Sequence, residues 1–322
     1  MSIKFSVAIP AYNCASFLAE TLDSVLGQTF PPDEIIVVND GSSDATDEII
    51  ASYSNSVLSI NTDNSGPGAA RKLAVETCTN EWIALCDSDD IWQPEHLNRV
   101  SKIVERNPDL NIIFTNFTSF GPGSSEDHTL LLEAPTGWID SQCKTNSDDY
   151  FYLPTPYLAL LYFNIAYTTG TVFTRSIYQS AGGIDPYFSR WLAEDAEFMR
   201  RLVSHPTAKA AFDPAIHWSY RRHHENFSTP SEFKNIIAGN RILEEHLRRK
   251  IVPSEYIPTV IDTLENRRIH AFRRAYWEKC DDKALEISKT IPWSKKSVRT
   301  MLQGLHSRIR LFASILKNGE PN

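Results

Sequence analysis

The sequence predicts a doubly wound α/β fold, in which a mostly parallel sheet carries helices on both faces, followed by a helical C-terminal extension. Over residues 1–115, short apolar runs alternate with segments whose apolar residues recur at helical spacing. The apolar runs are continuous, as in parallel strands that are buried on both faces. From Glu232 onward, helical patterns continue almost to the end of the chain, with a break at Pro292. Alternation of strands and helices is typical of a parallel sheet with crossover helices.

Turn-forming residues separate the predicted elements. Asp40-Gly41 ends the second strand, and Pro94 stands where proline is favoured, at the start of a helix. Residues 119–166 are less regular, and we interpret them as an insertion that shapes a second substrate pocket. We predict strands at residues 4–9, 34–38, 57–60, 82–86, 110–114, 170–174 and 210–220, and helices at residues 17–26, 44–53, 69–77, 94–107 and 194–203.

Charge and cysteine content restrict the class of protein. The 32 Lys and Arg residues against 40 Asp and Glu residues give a net charge of −8, whereas nucleic-acid binders are usually basic, so we expect no nucleic-acid partner. Residues 265–322 reverse the balance, with 13 Lys/Arg against 6 Asp/Glu, and could contact an anionic membrane surface or a second copy of the chain. Five scattered cysteines without CxxC spacing, and the absence of an apolar stretch of about 20 residues, favour a cytoplasmic protein, peripheral at most at the inner face of the membrane.

Polar clusters follow three of the predicted strands. Tyr12-Asn13 comes after the first strand and Pro10, Asn39-Asp40 after the second, and Asp87-Ser88-Asp89-Asp90 after the fourth. In doubly wound sheets, ligands bind at the carboxyl ends of the strands, where the strand order reverses. We therefore expect the three clusters to line one crevice.

The carboxylates of these clusters can be interpreted in two ways. Asp87 and Asp89 could reach one hard cation, or divide between a ribose hydroxyl and the cation. A solvated turn that caps the next helix would show the same pattern. Asp40 could bind the base or ribose of a nucleotide, or form a common Asp-Gly turn.

Three further candidates lie outside these clusters. Asp195, with Glu194, opens a predicted helix and could act as a general base, or only complement the helix dipole. In the basic segment 221–224, His223 could complete a metal shell and an arginine could face a diphosphate, or the whole segment could form an exposed turn. Arg71 follows a Gly-rich turn and could reach a nucleobase or phosphates, or lie on the helix surface.

These residue types match what transfer of a sugar from a nucleoside diphosphate requires. The diphosphate leaving group develops negative charge, so a cation or cationic donors must stabilise it. The acceptor hydroxyl is a poor nucleophile, so a carboxylate should take its proton. The nucleoside must be held so that the anomeric carbon is in line with the acceptor.

The whole set of motifs resembles the family-2 glycosyltransferases, a large GT-A group that includes sugar transferases of bacterial polysaccharide and lipopolysaccharide synthesis. The resemblance is strong over residues 4–115, moderate over residues 168–228 and weak elsewhere. The D-x-D pattern alone is a weak signal, but the order and spacing of many motifs are specific. The matching segments are residues 6–13, 22–29, 34–42, 64–71, 87–90, 182–185, 194–195 and 220–223, followed by Asn226 and Ser228.

The resemblance implies a GT-A fold, a divalent cation (Mn²⁺ or Mg²⁺) and, usually, inversion at the anomeric carbon. It implies that Asp89 ligates the metal, that His223 contacts the metal or the diphosphate, and that Asp195 is the catalytic base. Asp40 would bind the base of the nucleotide, with help from Arg71, and Asp87 would hold the ribose side. Asn39 departs from the aspartate often found there, which should matter little beside Asp40. The implied donor-binding residues are Pro10, Tyr12, Asn13, Asp40, Arg71, Asp87 and Ser88.

The sequence patterns and the resemblance together predict the domain organisation and the partners. Residues 1–230 would form the catalytic domain, with a donor half (1–115) and an acceptor half (116–230), and residues 231–322 a helical extension. The donor would be a nucleotide sugar, most simply a UDP-sugar, and the acceptor a glycan or lipid-linked molecule of cell-surface polysaccharide synthesis. The region around Trp191 and the insertion would select the acceptor. The basic C-terminal helices, residues 308–316 in particular, could lie on a membrane surface, or could pack on the catalytic domain or on a second copy of the chain.

Two other functions remain open at this point. A nucleotidyltransferase also uses an acidic pair and a cation, but should carry a Gly-rich basic loop after the first strand, where this chain has Pro10-Ala11-Tyr12-Asn13. A non-catalytic module that binds nucleotide sugars would keep the fold without turnover. The presence of both Asp89 and Asp195 argues against such a module.

Overall fold

The structure is a computed structural model that describes residues 3–125, 127–145, 149–223 and 232–318. It divides the chain into two compact units, residues 1–226 and 227–322. Within the described part of the first unit, the strands are β1 (Phe5–Ala11), β2 (Glu34–Asn39), β3 (Leu58–Asn61), β4 (Trp82–Leu85), β5 (Ile91–Trp92), β6 (Ile112–Phe120), β7 (Lys144–Thr145), β8 (Phe151–Leu153), β9 (Val172–Thr174) and β10 (Ala210–Arg221).

Helices cover this sheet. In the first unit they are α1 (Leu18–Leu26), α2 (Thr46–Ser52), α3 (Pro67–Thr77), α4 (His96–Arg106), α5 (Trp138–Gln142), α6 (Pro156–Tyr162), α7 (Arg175–Ser180) and α8 (Glu194–Ser204). The central strand β1 is buried along its whole length. Burial of both strand faces explains the continuous apolar runs of the sequence, because no side chain of such a strand reaches water.

The strands form one sheet in the order β3-β2-β1-β4-β9-β6-β10-β8-β7, and β5 pairs with β10. The run β3-β2-β1-β4 is parallel, with Ala8 of β1 opposite both Ile36 of β2 and Leu85 of β4. Strand β9 lies antiparallel between β4 and β6, and β10 returns to pair with β6 in parallel. The strands β3, β2, β1 and β4 are therefore all parallel, as predicted, whereas the rest of the sheet contains both parallel and antiparallel pairs.

The structure differs from the predicted elements mainly in residues 110–166. Strand β6 extends to Phe120, past its predicted end at residue 114, because it pairs with β10 along its whole length. The second half of β6 is not a continuous apolar run in the sequence, because it contains three polar residues that are buried, Thr115, Asn116 and Ser119. The insertion is not irregular throughout. It contains α5, α6 and the short strands β7 and β8, which add to the sheet beyond β10.

The second unit is helical, and a buried apolar cluster lies between α10 and α11. Its helices are α9 (Glu232–Arg248), α10 (Ile257–Trp277), α11 (Asp281–Thr290) and α12 (Val298–Asn318). The break at Pro292 is present, and two others occur. Lys250 and Lys279 adopt positive φ just after α9 and α10, and the next residue in each case donates its N–H to a carbonyl five residues back. Glycine usually occupies this position just after a helix, so a lysine there does not indicate a helix end in the sequence. Within the described residues, no helix combines the length and apolar character needed to cross a membrane.

Candidate functional site

The three polar clusters that follow predicted strands lie at one edge of the sheet. Strand β1 lies between β2 and β4, and all three strands run parallel. The segments that follow them, which begin with Tyr12, Asp40 and Cys86-Asp87, therefore leave the sheet at the same edge. Topology thus brings together the ends of β1, β2 and β4, as the sequence predicts.

The Asp40 carboxylate organises the loop that precedes α3. It is almost fully buried and accepts the backbone N–H groups of Ser65 (2.8 Å) and Gly66 (2.9 Å). Its neighbour Asn39 accepts the N–H of Ser42 (3.1 Å), which shapes the turn after β2. A carboxylate can accept more than two hydrogen bonds, so Asp40 keeps acceptor capacity after it has fixed this loop.

The residues after β1 are held against the same turn. Asn13, at φ 46°, donates its backbone N–H to the Ser42 hydroxyl (2.9 Å), and its side-chain oxygen accepts the N–H of Ser43 (2.8 Å). The Tyr12 ring is half exposed beside it, whereas Pro10 is buried inside β1. Tyr12 is therefore the member of this group whose side chain is open to a ligand.

Arg71 links two distant carboxylates. Its guanidinium contacts Glu194 through Nη1, and its Nη2 lies 3.0 Å from Asp87 Oδ1. The side chain is buried, which alone would lower the pKa of Arg71, but the charges of Glu194, Asp87 and Asp195 outweigh burial and raise that pKa. Burial raises the pKa of Glu194 to about 7, although Arg71 acts in the opposite direction. Arg71 thus ties the end of β4 to the start of α8.

Asp195 lies in the first turn of α8. Burial raises the pKa of its carboxyl, Arg71 opposes this, and Thr168 Oγ1 lies 3.4 Å from its Oδ2. Ala193, just before the helix, adopts the left-handed conformation (φ 65°). A residue with a Cβ pays roughly 1–2 kcal/mol for this conformation, and such strain is concentrated at functional sites. The backbone is therefore strained at Ala193, directly before Glu194 and Asp195 in the first turn of α8.

Asp89 and His223 contact each other. The distance from His223 Nε2 to Asp89 Oδ2 is 2.9 Å, and the imidazole lies on the Phe17 ring, with centroids 4.4 Å apart. Burial and the charge of Asp87 raise the pKa of Asp89, while His223 lowers it. The Arg221 Nε–H donates to the Asp89 carbonyl (2.8 Å), which joins the end of β10 to the loop after β4. His224, Asn226 and Ser228 lie outside the described residues.

The sequence predicts no role for Asp90 or Thr169, which fix the acidic loop, residues 87–90 after β4. Asp90 is fully buried and accepts hydrogen bonds from Thr169 Oγ1 (2.6 Å) and the Arg221 N–H (2.9 Å). The Thr169 hydroxyl also accepts the N–H of Asp87 (3.0 Å). Burial, together with Asp89 and Asp87, raises the pKa of Asp90 well above its usual range. Thr169 belongs to a short polar run without periodicity, so the sequence carried no signal for it.

The turn Gly66-Pro67-Gly68 packs closely on the segment before α8. The Gly68 N–H donates to the Ser189 carbonyl (3.2 Å), and a Cβ on Gly68 would lie 2.8 Å from Ser189 Cα. Arg190 reaches back to the Asn64 carbonyl (2.7 Å). This segment also contains Trp191, whose ring contacts Phe188. The loop fixed by Asp40 and the segment leading to Asp195 are therefore held together.

The donor set fits a cation that takes few protein ligands. Within the described ranges, no group of three or more His, Cys, Asp and Glu side chains is arranged to hold a metal ion. Asp89 and His223 provide two potential ligands. Magnesium and similar ions are commonly bound by one or two side chains together with water and phosphate oxygens of a substrate, so the pair fits such an ion only beside a phosphate ligand.

An open cavity of about 480 Å³ is lined by residues of the insertion and by Arg222, the residue before His223. It has a polar lining made of Ser119, Gly123, Ser124, Ser125, Asp127, His128 and Arg222. Ser119 belongs to β6. Arg222 directly follows β10, which pairs with β6. Arg222 therefore links this cavity to His223, its neighbour in the sequence, and the other lining residues belong to the insertion.

Comparison with known proteins gives one family match. The model of the family described as Glycosyl transferase family 2 matches residues 6–171, which include β1 to β6, Asp40, Arg71, Asp87 and Asp89. The match ends before Asp195 and His223.

The similar curated proteins include GlyA of Streptococcus pneumoniae, a glycosyltransferase that is 36% identical over 121 residues, 36% of this chain and 17% of that protein. Another is TarS of Staphylococcus aureus, a poly(ribitol-phosphate) beta-N-acetylglucosaminyltransferase. It is 27% identical over 250 residues, which cover 73% of this chain and 39% of TarS. The matched segments thus span less than half of each of these relatives.

Solved structures of the same architecture cover nearly the whole chain. Residues 1–349 of Staphylococcus aureus TarS, in complex with UDP, align with a TM-score of 0.55 at 17% identity, over 99% of this chain and 92% of that one. The mannosyltransferase PcManGT of Pyrobaculum calidifontis, in complex with GDP-Man and Mn²⁺, aligns with a TM-score of 0.57 at 16% identity, over 97% and 81%. At these identities the likeness establishes the fold, which is the predicted GT-A architecture with helices at the C-terminus.

Proposed function

Because the chain belongs to glycosyl transferase family 2, we propose that it transfers a sugar from a UDP-sugar to an acceptor hydroxyl with inversion at the anomeric carbon. The family relationship favours this function over a nucleotidyltransferase. The organisation that we propose for it is a catalytic domain at residues 1–230, with donor and acceptor halves that meet near residue 115, and an extension at residues 231–322.

One arrangement supports the function most directly. Arg71 joins Asp87, at the end of a parallel strand, to Glu194 and so to the helix turn that carries Asp195. Transfer requires a donor site and a base on the acceptor side within one crevice. Arg71 keeps the two parts together, because its buried charge needs both carboxylates.

In the proposed donor site, the groups at the strand ends hold the nucleotide. The half-exposed Tyr12 ring would stack on the base, and Asp40 would accept a hydrogen bond from it. Asn13 and Pro10 shape this wall, while Asp87 and Ser88 would contact the ribose. The UDP complex of TarS supports UDP as the nucleotide, whereas the GDP-Man complex of PcManGT makes GDP the alternative that the experiment below must exclude.

Asp89 and His223 would hold the divalent cation, Mn²⁺ or Mg²⁺. When bound, the cation neutralises the charge that develops on the diphosphate leaving group. Neighbouring residues of the chain keep Asp89 and His223 in place. Arg221 does so through the Asp89 carbonyl, and Phe17 through the His223 ring. The Mn²⁺ in the PcManGT complex supports a cation of this kind.

Asp195 would take the proton of the acceptor hydroxyl. A base works best when its pKa is close to the working pH, and burial moves the pKa of Asp195 in that direction. The polar cavity at Ser119 and Arg222 would receive the acceptor, together with the region of Trp191. We propose a hydroxyl-rich glycan or lipid-linked acceptor of cell-surface polysaccharide synthesis, at the cytoplasmic face of a membrane. The activity of TarS on poly(ribitol-phosphate) supports an acceptor of this class.

The donor and the cation can be tested in one binding experiment. Thermal unfolding would be followed with UDP-, GDP- and dTDP-sugars, with and without Mn²⁺. We expect a UDP-sugar to raise the unfolding temperature only when Mn²⁺ is present. At a concentration of about 100 times the Kd, a bound ligand stabilises a protein by about 2.7 kcal/mol, which such a scan detects easily.

A matched pair of variants makes the experiment specific. Asp89→Asn should abolish the Mn²⁺-dependent shift, whereas Asp109→Asn, which removes an exposed carboxylate paired with Lys209, should keep it. Stabilisation by a GDP-sugar instead of a UDP-sugar would contradict the proposed donor. An undiminished shift in Asp89→Asn would contradict the proposed cation site.

A further inference from the structure

The last helix of the second unit packs with its polar side inward. Thr300, Gln303 and Ser307, which lie on one side of α12, are buried. On the same side, Arg310 forms an ion pair with Asp281 of α11 (2.6 Å). A helix that only completed a helical core would normally direct its apolar side inward.

The opposite side of α12 is apolar and faces solvent. Val298, Leu302, Leu305 and Ile309 recur at spacings of four, three and four residues, so they form one stripe along the helix. Their exposed fractions are 69%, 60%, 55% and 58%. Met301 borders the stripe, and Trp293, just before the helix, is 77% exposed. A continuous exposed apolar surface of this kind marks a site of interaction. We call Val298, Leu302, Leu305 and Ile309 the apolar stripe.

Two arginines flank the apolar stripe. Arg299 and Arg308 lie about 90° to either side of the stripe centre on the helix, which turns about 100° per residue. Neither forms an ion pair with the described residues. Lys296 Nζ lies 5.1 Å from the centre of the Trp293 ring. From Trp293 to Asn318 the sequence has no Asp or Glu, and its basic residues are Lys295, Lys296, Arg299, Arg308, Arg310 and Lys317.

The charges decide which partner fits. If a second copy of the chain covered the apolar stripe across a two-fold axis, Arg299 and Arg308 of both copies would meet without a carboxylate from this segment between them. Like charges in contact disfavour such a pairing. An anionic lipid surface satisfies both features, because aliphatic and Trp side chains enter the headgroup region while arginines at the flanks reach the lipid phosphates.

We propose that α12 lies flat on the surface of a membrane that contains anionic lipids, with the apolar stripe inserted and Arg299 and Arg308 at the headgroups. The net charge of the whole chain is −8, so attraction to such a surface must come from this local basic segment. The helix lies on the membrane and does not span it, because α12 lacks the continuous apolar length for a span.

Flotation of the full chain with lipid vesicles tests the proposal. Vesicles of phosphatidylcholine alone would be compared with vesicles in which about a quarter of the lipid is phosphatidylglycerol. We expect binding only to the anionic vesicles, and release at about 1 M salt, where the Debye length is about 3 Å.

Three variants separate the contributions. Leu302→Gln with Leu305→Gln and Ile309→Gln removes the apolar stripe and should abolish binding. Arg299→Gln with Arg308→Gln should weaken binding about 25-fold, because each arginine strengthens binding about fivefold. The control, Arg273→Gln with Lys289→Gln, removes two exposed charges from α10 and α11 and should bind like the wild type. All substituted side chains are solvent-exposed, so thermal unfolding should be unchanged in each variant.

Three results would overturn the proposal. The first is failure of the wild type to bind anionic vesicles. The second is a loss of binding in the control as large as that in the arginine variant. The third is self-association of the wild type, measured by light scattering, that the stripe variant abolishes, which would assign the apolar stripe to a second copy of the chain.

Discussion

The environment of Arg71 depends on the tertiary fold. It is buried between Glu194, which lies 123 residues further along the chain, and Asp87. The two terminal nitrogens of the guanidinium each donate to one of the two carboxylates, a fork geometry that the single ammonium of lysine cannot reproduce. Loss of one partner from a buried ion pair is costly because the other charge stays buried.

We therefore predict that Arg71→Lys lowers the free energy of unfolding by about 2–3 kcal/mol. Urea denaturation measures this change. The matched control is Arg248→Lys, which alters an exposed pair with Glu245 and should change stability by less than about 0.5 kcal/mol. Equal effects of the two substitutions would show that the buried network contributes little.

Asp195 allows a prediction about catalysis. We expect Asp195→Asn to lower kcat by about 10²–10⁴-fold while the Kd of the UDP-sugar stays unchanged, because a base acts on the acceptor and not on the donor. A base must be ionised, so kcat of the wild type should fall as the pH drops through the raised pKa of Asp195. Asp282→Asn, in the first turn of α11, is a control for the helix-dipole role and should keep full activity. A parallel loss of donor affinity in Asp195→Asn would point to a structural role.

At the scale of elements, a buried polar chain joins α4 to β10. His96 Nδ1 lies 2.8 Å from His217 Nδ1, and His217 Nε2 lies 2.8 Å from Asp213 Oδ2. Asp213 in turn accepts two hydrogen bonds from Arg99 (2.9 and 3.0 Å). The helix α4 follows the acidic loop, and β10 leads to His223, so this chain of contacts connects the two segments that carry the proposed metal ligands.

His96 should make stability depend on pH. Burial and His217 lower the pKa of His96 well below its usual range, although Asp213 opposes this. In the unfolded chain the imidazole titrates near pH 6.5, so stability is present above that pH and is lost as the pH falls, by about 1.4 kcal/mol per pH unit. We expect His96→Asn to reduce this loss between pH 6 and pH 5, as measured by urea denaturation. The exposed His270→Asn should follow the wild type. An unchanged slope in His96→Asn would exclude this cause.

Local patterns predicted most elements, and the exceptions have physical reasons. Strands β1, β2 and β4 were predictable because they are buried on both faces. The direction of β9 was not, because an apolar run carries no information about its neighbours. The same limit applies to the site. Asp40, Asp87, Asp89, Asp195 and His223 stood out by residue type, whereas the Arg71–Glu194 and Thr169–Asp90 pairs are defined only by the fold.

At the scale of the whole molecule, the family match covers residues 6–171, and the structural likeness extends over nearly the entire chain. The assignment to family 2 and the GT-A fold, both predicted from the motifs, are confirmed. The roles of individual site residues and the domain boundaries remain predictions. The helical unit at residues 227–322 contributes features that the family model does not describe, including the apolar stripe.

The central claim is that the ends of β1, β2 and β4 and the start of α8 form one site for a nucleotide sugar. A crystal structure determined with UDP and Mn²⁺ tests it most directly. We predict UDP in the crevice beside Tyr12 and Asp40, with the ion bound by Asp89 between the protein and the diphosphate. UDP bound elsewhere, such as in the cavity at Ser119 and Arg222, or an ion that does not contact Asp89, would contradict the account.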